Sequence, residues 1–420
     1  MENVCLRGGS PEREGTIEWD NQVVPMGIYI SVPFCRTKCS YCNFASDVFS
    51  RVVFERYVDR VCADIANAQP VAKELGGQID GEVDSIYLGG GTPTVLEASQ
   101  LQRIFDAIRN QFSVRADAEV TVECAPGTLA PEVLQGLLRC GVSRVSLGVQ
   151  SFVDIEAAAV GRLHKRATVL DDIARLRTAG IANINIDLIA GLPHQTAESW
   201  LESLNETLGT GISHASVYML EVDESSRLGR EVIAGGTRYH AHFVPDEEAI
   251  ADFYLAACEC LESAGIAQYE ISNFARPGSE SLHNLKYWTR QPYLGFGVDA
   301  HSMLMSVEPQ NEAVRFATAD VLETYIAGSP LQRTDVSPSA ALEELFFLGL
   351  RLNRGVDLGE VAAQFGESGI NSVLTTVNDL VADGLLQRGG NRISLTPRGR
   401  LLSNEVFQSF LQSPSLTTNL

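Results

Sequence analysis

Basic residues are scarce in this chain. Thirty-two Lys and Arg stand against 53 Asp and Glu in 420 residues, a formal charge of −21. Non-specific nucleic-acid affinity comes mainly from Lys and Arg displacing counterions, so a polyphosphate partner is excluded on charge. Attachment to an anionic membrane through a basic face is excluded in the same way. The first residues, MENVCLRGGSPEREGTIEWD, lack the apolar centre of a signal peptide, and no run is apolar enough to span a bilayer. Cysteine is sparse too: nine residues are too few for a disulfide scaffold at this length, and the odd number suits a secreted protein poorly. These absences leave a cytoplasmic protein with reduced thiols. With 45% apolar residues it can bury a sizeable core.

Six short, β-rich apolar runs occupy the first half, at 27–34, 84–89, 118–123, 144–149, 183–190 and 214–221. Helix-like stretches at 97–112, 130–140, 166–179 and 196–208 fall between them. Strands alternating with helices predict repeated βα units and a parallel sheet buried on both faces. Six units can form an open doubly wound sheet or an incomplete barrel. Polar or glycine-rich signals follow nearly every strand: Cys35, then GGGTPT, Glu123, Gln150 and Asp187. Active sites of α/β barrels gather at that edge, which favours the curled form. Residues 223–245 lose the pattern and read as a loop-rich excursion. A helix at about 246–265 leads into 268–305, dense in aromatics, Gly and His. From about 331 the chain reads as helices, a β-turn at GGN, a short strand and a final helix, which predicts a winged-helix-like domain. That part carries seven Arg and nine acidic residues, so DNA binding is not its expected role.

Cys35-x-x-x-Cys39-x-x-Cys42 is the strongest chemical signal. Three thiolates so close repel one another unless a cation or cluster neutralises them. A structural zinc site wants a fourth protein ligand, yet Phe44 stands where a further Cys could follow and the first histidine is His164. Three thiolates on a short loop suit a 4Fe–4S cluster with one iron open to a cofactor; zinc and unliganded thiols are the other readings. Gly89, Gly90, Gly91 and Thr92 at a strand end allow close backbone approach to a ligand, although a plain strand-to-helix turn would use the same residues. His283, Tyr287 and Trp288 offer an imidazole and flat apolar surface suited to haem, or equally a satisfied histidine in an aromatic core. His301 is a second candidate.

The run from Tyr29 through Cys35, followed by Cys39-Ser-Tyr-Cys42-Asn-Phe44, resembles the radical S-adenosylmethionine (SAM) superfamily, and within it the oxygen-independent coproporphyrinogen oxidase family with its haem-chaperone branch, HemN and HemW. GGGTPT at 89–94, VECAPG at 122–127, SLGVQS at 146–151, GRLH at 161–164 and NIDLIAGLPHQT at 185–196 continue the match in order, from about residue 26 to the end. The resemblance implies a partial (βα)6 TIM-like radical SAM barrel over 26–245, a connecting region with the HNxxYW motif over 246–330, and a HemN-type winged-helix-like domain over 331–420. Residues 1–25 lie outside it, as a flexible tail or because translation starts at Met26. It further implies that Cys35, Cys39 and Cys42 hold a 4Fe–4S cluster. Tyr29, Tyr41, Gly90, Gly91, Thr92, Glu123, Gln150, Arg162 and Asp187 match SAM-binding positions, with Arg162 suited to a carboxylate. A reduced cluster would cleave SAM to methionine and a 5′-deoxyadenosyl radical.

Two features separate the branches. The oxidase branch carries a fourth Cys where this chain has Phe44, and His283-Asn-Leu-Lys-Tyr-Trp288 reproduces the HNxxYW motif of the haem-chaperone branch. The resemblance therefore implies a haem carrier, with His283 in contact with haem. Its partners would be an electron donor for the cluster and haem-acceptor proteins, membrane respiratory proteins among them. Porphyrin decarboxylation is the alternative. Ser31, Ser40 and Asn43 depart from the family pattern, where His, Pro and Asp are usual.

Overall fold

The computed structural model describes residues 24–411. The expectation of a tail or late start at 1–25 falls almost wholly outside them. Six parallel strands form the centre: β1 (Met26–Val32), β2 (Val83–Gly90), β3 (Val114–Cys124), β4 (Arg144–Gln150), β5 (Asn183–Ala190) and β6 (His214–Met219). They lie in chain order, each hydrogen-bonded to the next. Each is followed by helix, and successive helices pack side by side: Val52–Ala66 on Ala98–Gln111, that on Pro131–Arg139, and Ala197–Gly209 on Glu247–Ser263. Right-handed crossovers between strands in unbroken order put every helix on one face. A doubly wound sheet would reverse its order partway. This winding is that of a partial barrel.

Side chains along each strand alternate between the two faces. Ile28, Ile30, Ile86, Leu88, Val122, Val145, Leu147, Ile184, Ile186, Ala215 and Val217 are buried in one core with the helices. Each such side chain contributes roughly 1.5–3 kcal/mol on burial. The opposite face is polar: Tyr29, Tyr87, Thr121, Arg144, Ser146, Asn185, His214 and Ser216 stand in register across the strands. The sheet is therefore not apolar on both faces, as the sequence suggested. Its inner face carries hydroxyl, amide and ionic groups, of which Ser146, Asn185, His214 and Ser216 are joined in one hydrogen-bonded network.

Beyond β1 the sheet continues. Tyr293–Gly297 pairs parallel with β1, and His301–Ser306, Ala313–Ala317 and Gln332–Val336 follow antiparallel. The stretch after 246 is thus largely part of the main sheet. Gln332–Val336 is its edge, so the C-terminal unit begins with Ser337, which caps the helix Pro338–Gly349. A second helical span, Leu358–Ala382, breaks at Gly366 (φ 72°). A three-stranded sheet of Val356–Asp357, Arg392–Leu395 and Leu386–Gly389 completes the winged-helix-like unit, packed around Phe346, Leu350, Val377 and Ile393. The 223–245 excursion is more ordered than its composition implied: Ser226 caps a helix, Arg227–Ile233, whose Leu228 is buried. Among the described residues no helix is long and apolar enough to cross a membrane.

Candidate cluster and cofactor site

β1 delivers the chain to Phe34, which is fully buried, stacked on Phe54 at 3.9 Å and edge-on to Tyr57 at 5.0 Å. The next twelve residues form a loop closed at its base by Cys35 N donating to Asp47 O (3.0 Å) and Asp47 N to Pro33 O (2.9 Å). Lys38 Nζ bridges the loop, donating to the carbonyls of Phe44 and Ser46, each at 2.7 Å. From outside, Leu228 N donates to Ser40 O (2.8 Å), and the Arg227 guanidinium donates to the carbonyls of Lys38 and Cys39. The protein itself thus holds the loop's shape. Sequence reasoning missed Arg227, because an Arg in a polar excursion carries no signal of its partner 188 residues away.

All three thiols line one chamber of about 1080 Å³. Cys39 is 7% exposed, and Cys35 and Cys42 are half-buried. Thr92 Oγ1 donates to Cys35 Sγ (3.8 Å), favouring its thiolate, and Arg162 Nη1 donates to Cys39 Sγ (3.7 Å). Burial pushes the Cys35 thiol up, against the hydroxyls of Ser46 and Thr92. No three His, Cys, Asp or Glu side chains among the described residues gather closely enough for a single metal ion. His164 is not a fourth ligand for zinc: its Nε2 meets Val149 O at 3.1 Å, and burial, then Arg162, pulls its pKa down to about 4. Three soft thiolates spread around a loop suit a cube in which each binds a different iron.

The same chamber is lined by Tyr41, Gly90, Gly91, Thr92, Glu123, Gln150, Arg162 and Asp187. Gly90 takes φ +93°, and a Cβ on Gly91 would lie 2.7 Å from Val32 O and 2.8 Å from Phe34 O. The glycines first permit close approach to the base of the cluster loop, whose carbonyls accept from Gly91 N and Thr92 N, each at 2.8 Å. Tyr29 lies behind them, its hydroxyl 3.4 Å from the point a Gly90 Cβ would occupy. Glu123 accepts from the Tyr87 hydroxyl (2.9 Å). Burial, then the charge of Asp187, raises its pKa to about 7. Burial also raises Asp187, opposed by Ser146 (2.9 Å) and Asn185 (2.7 Å).

His283 is placed elsewhere. The helix Leu282–Trp288 lies behind Tyr87, its first amides donating to the Glu119 carboxylate at 3.2 Å. His283 is 1% exposed, with Nδ1 at 3.1 Å from Ser85 Oγ and Nε2 at 2.8 Å from the Tyr287 hydroxyl. Burial, then Lys286, lowers its pKa to about 3. In this arrangement both ring nitrogens are engaged by protein hydroxyls. Lys286 pairs with Asp84 (2.8 Å), Tyr287 meets Tyr293 edge-on at 4.6 Å, and Trp288 lies 4.2 Å beneath the Arg351 guanidinium. In this fold the HNLKYW segment ties the barrel floor to the C-terminal unit. Only Asn284 of that segment reaches the chamber. His301 is exposed, 3.7 Å from Asp299. Arg144, Arg351 and Arg398 also line the chamber and were not singled out from sequence.

This wound sheet, with three thiols at the mouth of its inner face, is the architecture of a radical SAM protein. The Radical SAM superfamily model matches residues 29–207, and the HemN C-terminal domain model matches 336–402. Membership of that superfamily implies SAM and a 4Fe–4S cluster. The Heme chaperone HemW of Bacillus subtilis is 36% identical over 385 residues, 91% of this chain and 98% of that protein. Those of Synechocystis (34%; 85% of this chain, 86% of that one) and Escherichia coli (30%; 92% and 98%) are similar over comparable spans. In fold, the chain is like the solved structure of coproporphyrinogen III oxidase (HemN) from Escherichia coli, a radical SAM enzyme, with a TM-score of 0.78 at 24% identity, covering 92% of this chain and 90% of that one. The chain belongs to the HemW family.

Proposed function

We propose that this protein is a haem chaperone, binding haem and a SAM-coordinated 4Fe–4S cluster and passing haem to acceptor proteins. The observation that carries this reading is the 36% identity with the B. subtilis Heme chaperone HemW, which runs through thiol loop and C-terminal unit alike. Phe44 supports it over decarboxylation: it is 61% exposed at the chamber lip, where the oxidase branch carries a further Cys. Cys35, Cys39 and Cys42 would hold the cluster, with Arg162 and Thr92 steadying two of the thiolates. Tyr29, Tyr41, Gly90, Gly91, Thr92, Glu123, Gln150 and Asp187 would bed SAM, and the Arg162 fork suits its carboxylate. When bound, the cluster supplies one-electron reduction, which calls for a reducing compartment and an electron donor; we place the protein in the cytoplasm.

Anaerobic reconstitution with iron and sulfide, followed by haem titration and a coproporphyrinogen III assay, tests the reading. We expect a haem absorption band, transfer of haem to an apo-acceptor, and no protoporphyrinogen. Absence of haem uptake, or formation of protoporphyrinogen, would refute it.

A further inference from the structure

The chamber has a floor as well as a mouth, and the floor carries an arginine with no ion pair. Arg144 opens β4, six residues before Gln150, so at about 3.3 Å per residue it lies roughly 20 Å along the strand from the mouth. Its side chain is 2% exposed and lines the chamber. Other sheltered arginines in this fold have partners: Arg290 and Arg315 share Glu344, Arg175 has Asp172, Arg351 has Glu270, and Arg162 and Arg227, which have no carboxylate, donate to carbonyls and, for Arg162, to a thiol. Arg144 has no carboxylate among the described residues; its Nε is buried without a hydrogen-bond partner, as are those of Arg162, Arg227, Arg315 and Arg351, but unlike those four it has no other polar partner either. Its neighbours in register repeat the pattern. Thr121 on β3 and Asn183 on β5 flank it, and the Thr121 hydroxyl and Asn183 amide oxygen are likewise buried and unpaired. Asp187, the acid on the same inner face, feels the Arg144 charge but forms no ion pair with it, and its carboxylate is engaged by Ser146 and Asn185.

A buried cation without a partner is among the more costly groups a fold can carry, and such groups call for an explanation that a ligand can supply. A guanidinium fork matches a carboxylate with two parallel hydrogen bonds. The chamber, at about 1080 Å³, stands at the top of the range of roughly 300–1,000 Å³ typical of ligand pockets, and its lining reaches from the thiol loop to Arg144. We propose that Arg144 seats a carboxylate of the ligand occupying the chamber floor. Resting on the haem-chaperone reading, that carboxylate is a haem propionate. SAM also carries a carboxylate, but Arg162 stands at the mouth for it.

The test uses the full chain with its cluster reconstituted. Wild type, Arg144→Met and Arg144→Lys are titrated with haem, with haem dimethyl ester, whose propionates are neutral, and with SAM. Wild type should prefer haem over the diester by about tenfold to a hundredfold, the range for charge-assisted hydrogen bonds. Arg144→Met should abolish that preference by weakening haem alone, Arg144→Lys should retain part of it, and SAM affinity should be unchanged in both. Cluster absorbance and thermal melting report folding, and Arg144→Met should melt no lower than wild type because it removes an unpaired buried charge. The diester comparison needs no variant. Equal binding of haem and diester by wild type, or wild-type haem affinity in Arg144→Met, overturns the inference and leaves the haem reading standing. Weakened SAM binding with haem unchanged overturns it as well, assigning Arg144 to the cofactor. Failure of wild type to bind haem overturns both.

Discussion

Glu123→Gln should flatten the dependence of stability on pH. In the folded protein the Glu123 carboxyl is pushed from 4.5 to about 7 by burial and then by Asp187. Between those values the folded state keeps a proton that the unfolded chain has released, so stability falls as pH rises from about 4.5 and has lost the whole contribution above about 7. At about 1.4 kcal/mol per pH unit the span amounts to about 3 kcal/mol. That figure is a ceiling, because the carboxylate faces a chamber whose water screens it. An unfolding entropy of about 2.1 cal/mol/K per residue gives about 0.9 kcal/mol/K for this chain, which turns the ceiling into a melting shift of about 3–4 °C. Gln keeps an acceptor for the Tyr87 hydroxyl and cannot ionise. Calorimetry of cluster-free protein from pH 5 to pH 8 should show wild type losing up to that much more than the variant. Parallel curves, within a degree, would show that the burial and the neighbouring charge do not act on Glu123 as described.

Gly91→Ala places a methyl 2.7 Å from Val32 O and 2.8 Å from Phe34 O, contacts with backbone that cannot swing aside. We expect a loss of about 1–3 kcal/mol and lower iron content after reconstitution, read by melting and iron assay. Arg351→Ala leaves Glu270, which is 0% exposed, without its cation. Because Arg351 is itself 26% exposed, we expect about 3 kcal/mol, the low end for breaking a buried pair, and faster proteolysis near residue 337. His283→Ala strands the hydroxyls of Ser85 and Tyr287, which should cost about 1–3 kcal/mol in denaturant melts. Haem affinity measured well below the melting point should be unaltered; a large loss there would mean that the ring turns outward to meet haem.

The six parallel strands were readable to within a few residues, since each presents alternating Ile, Val and Leu to the helices. The inner face was less readable: Thr121, Ser146, Asn185 and Ser216 look like interruptions of an apolar run until register places them side by side. Tyr293–Gly297 was missed because YLGFG has two glycines and no alternation, and its partner β1 lies more than 260 residues earlier. Gly295 is there because a Cβ would collide with the His301 carbonyl oxygen, a constraint of packing that local pattern does not contain. The cysteine loop was legible because its chemistry depends on spacing alone. Arg144 was not, because a single Arg at the head of a strand reads as a solvated charge until the chamber around it is seen.

The ladder between Gly91–Thr92 and the carbonyls of Val32 and Phe34 ties the glycine turn to the stem of the thiol loop. Two groups seated on either side of such a hinge share their free energies: whatever stiffens the stem preorganises the turn, and the effect is reciprocal by linkage. Iron retention and cofactor affinity would then be one coupled quantity. Cofactor present during an oxygen challenge should slow bleaching of the cluster, and a protein stripped of iron should hold the cofactor more weakly.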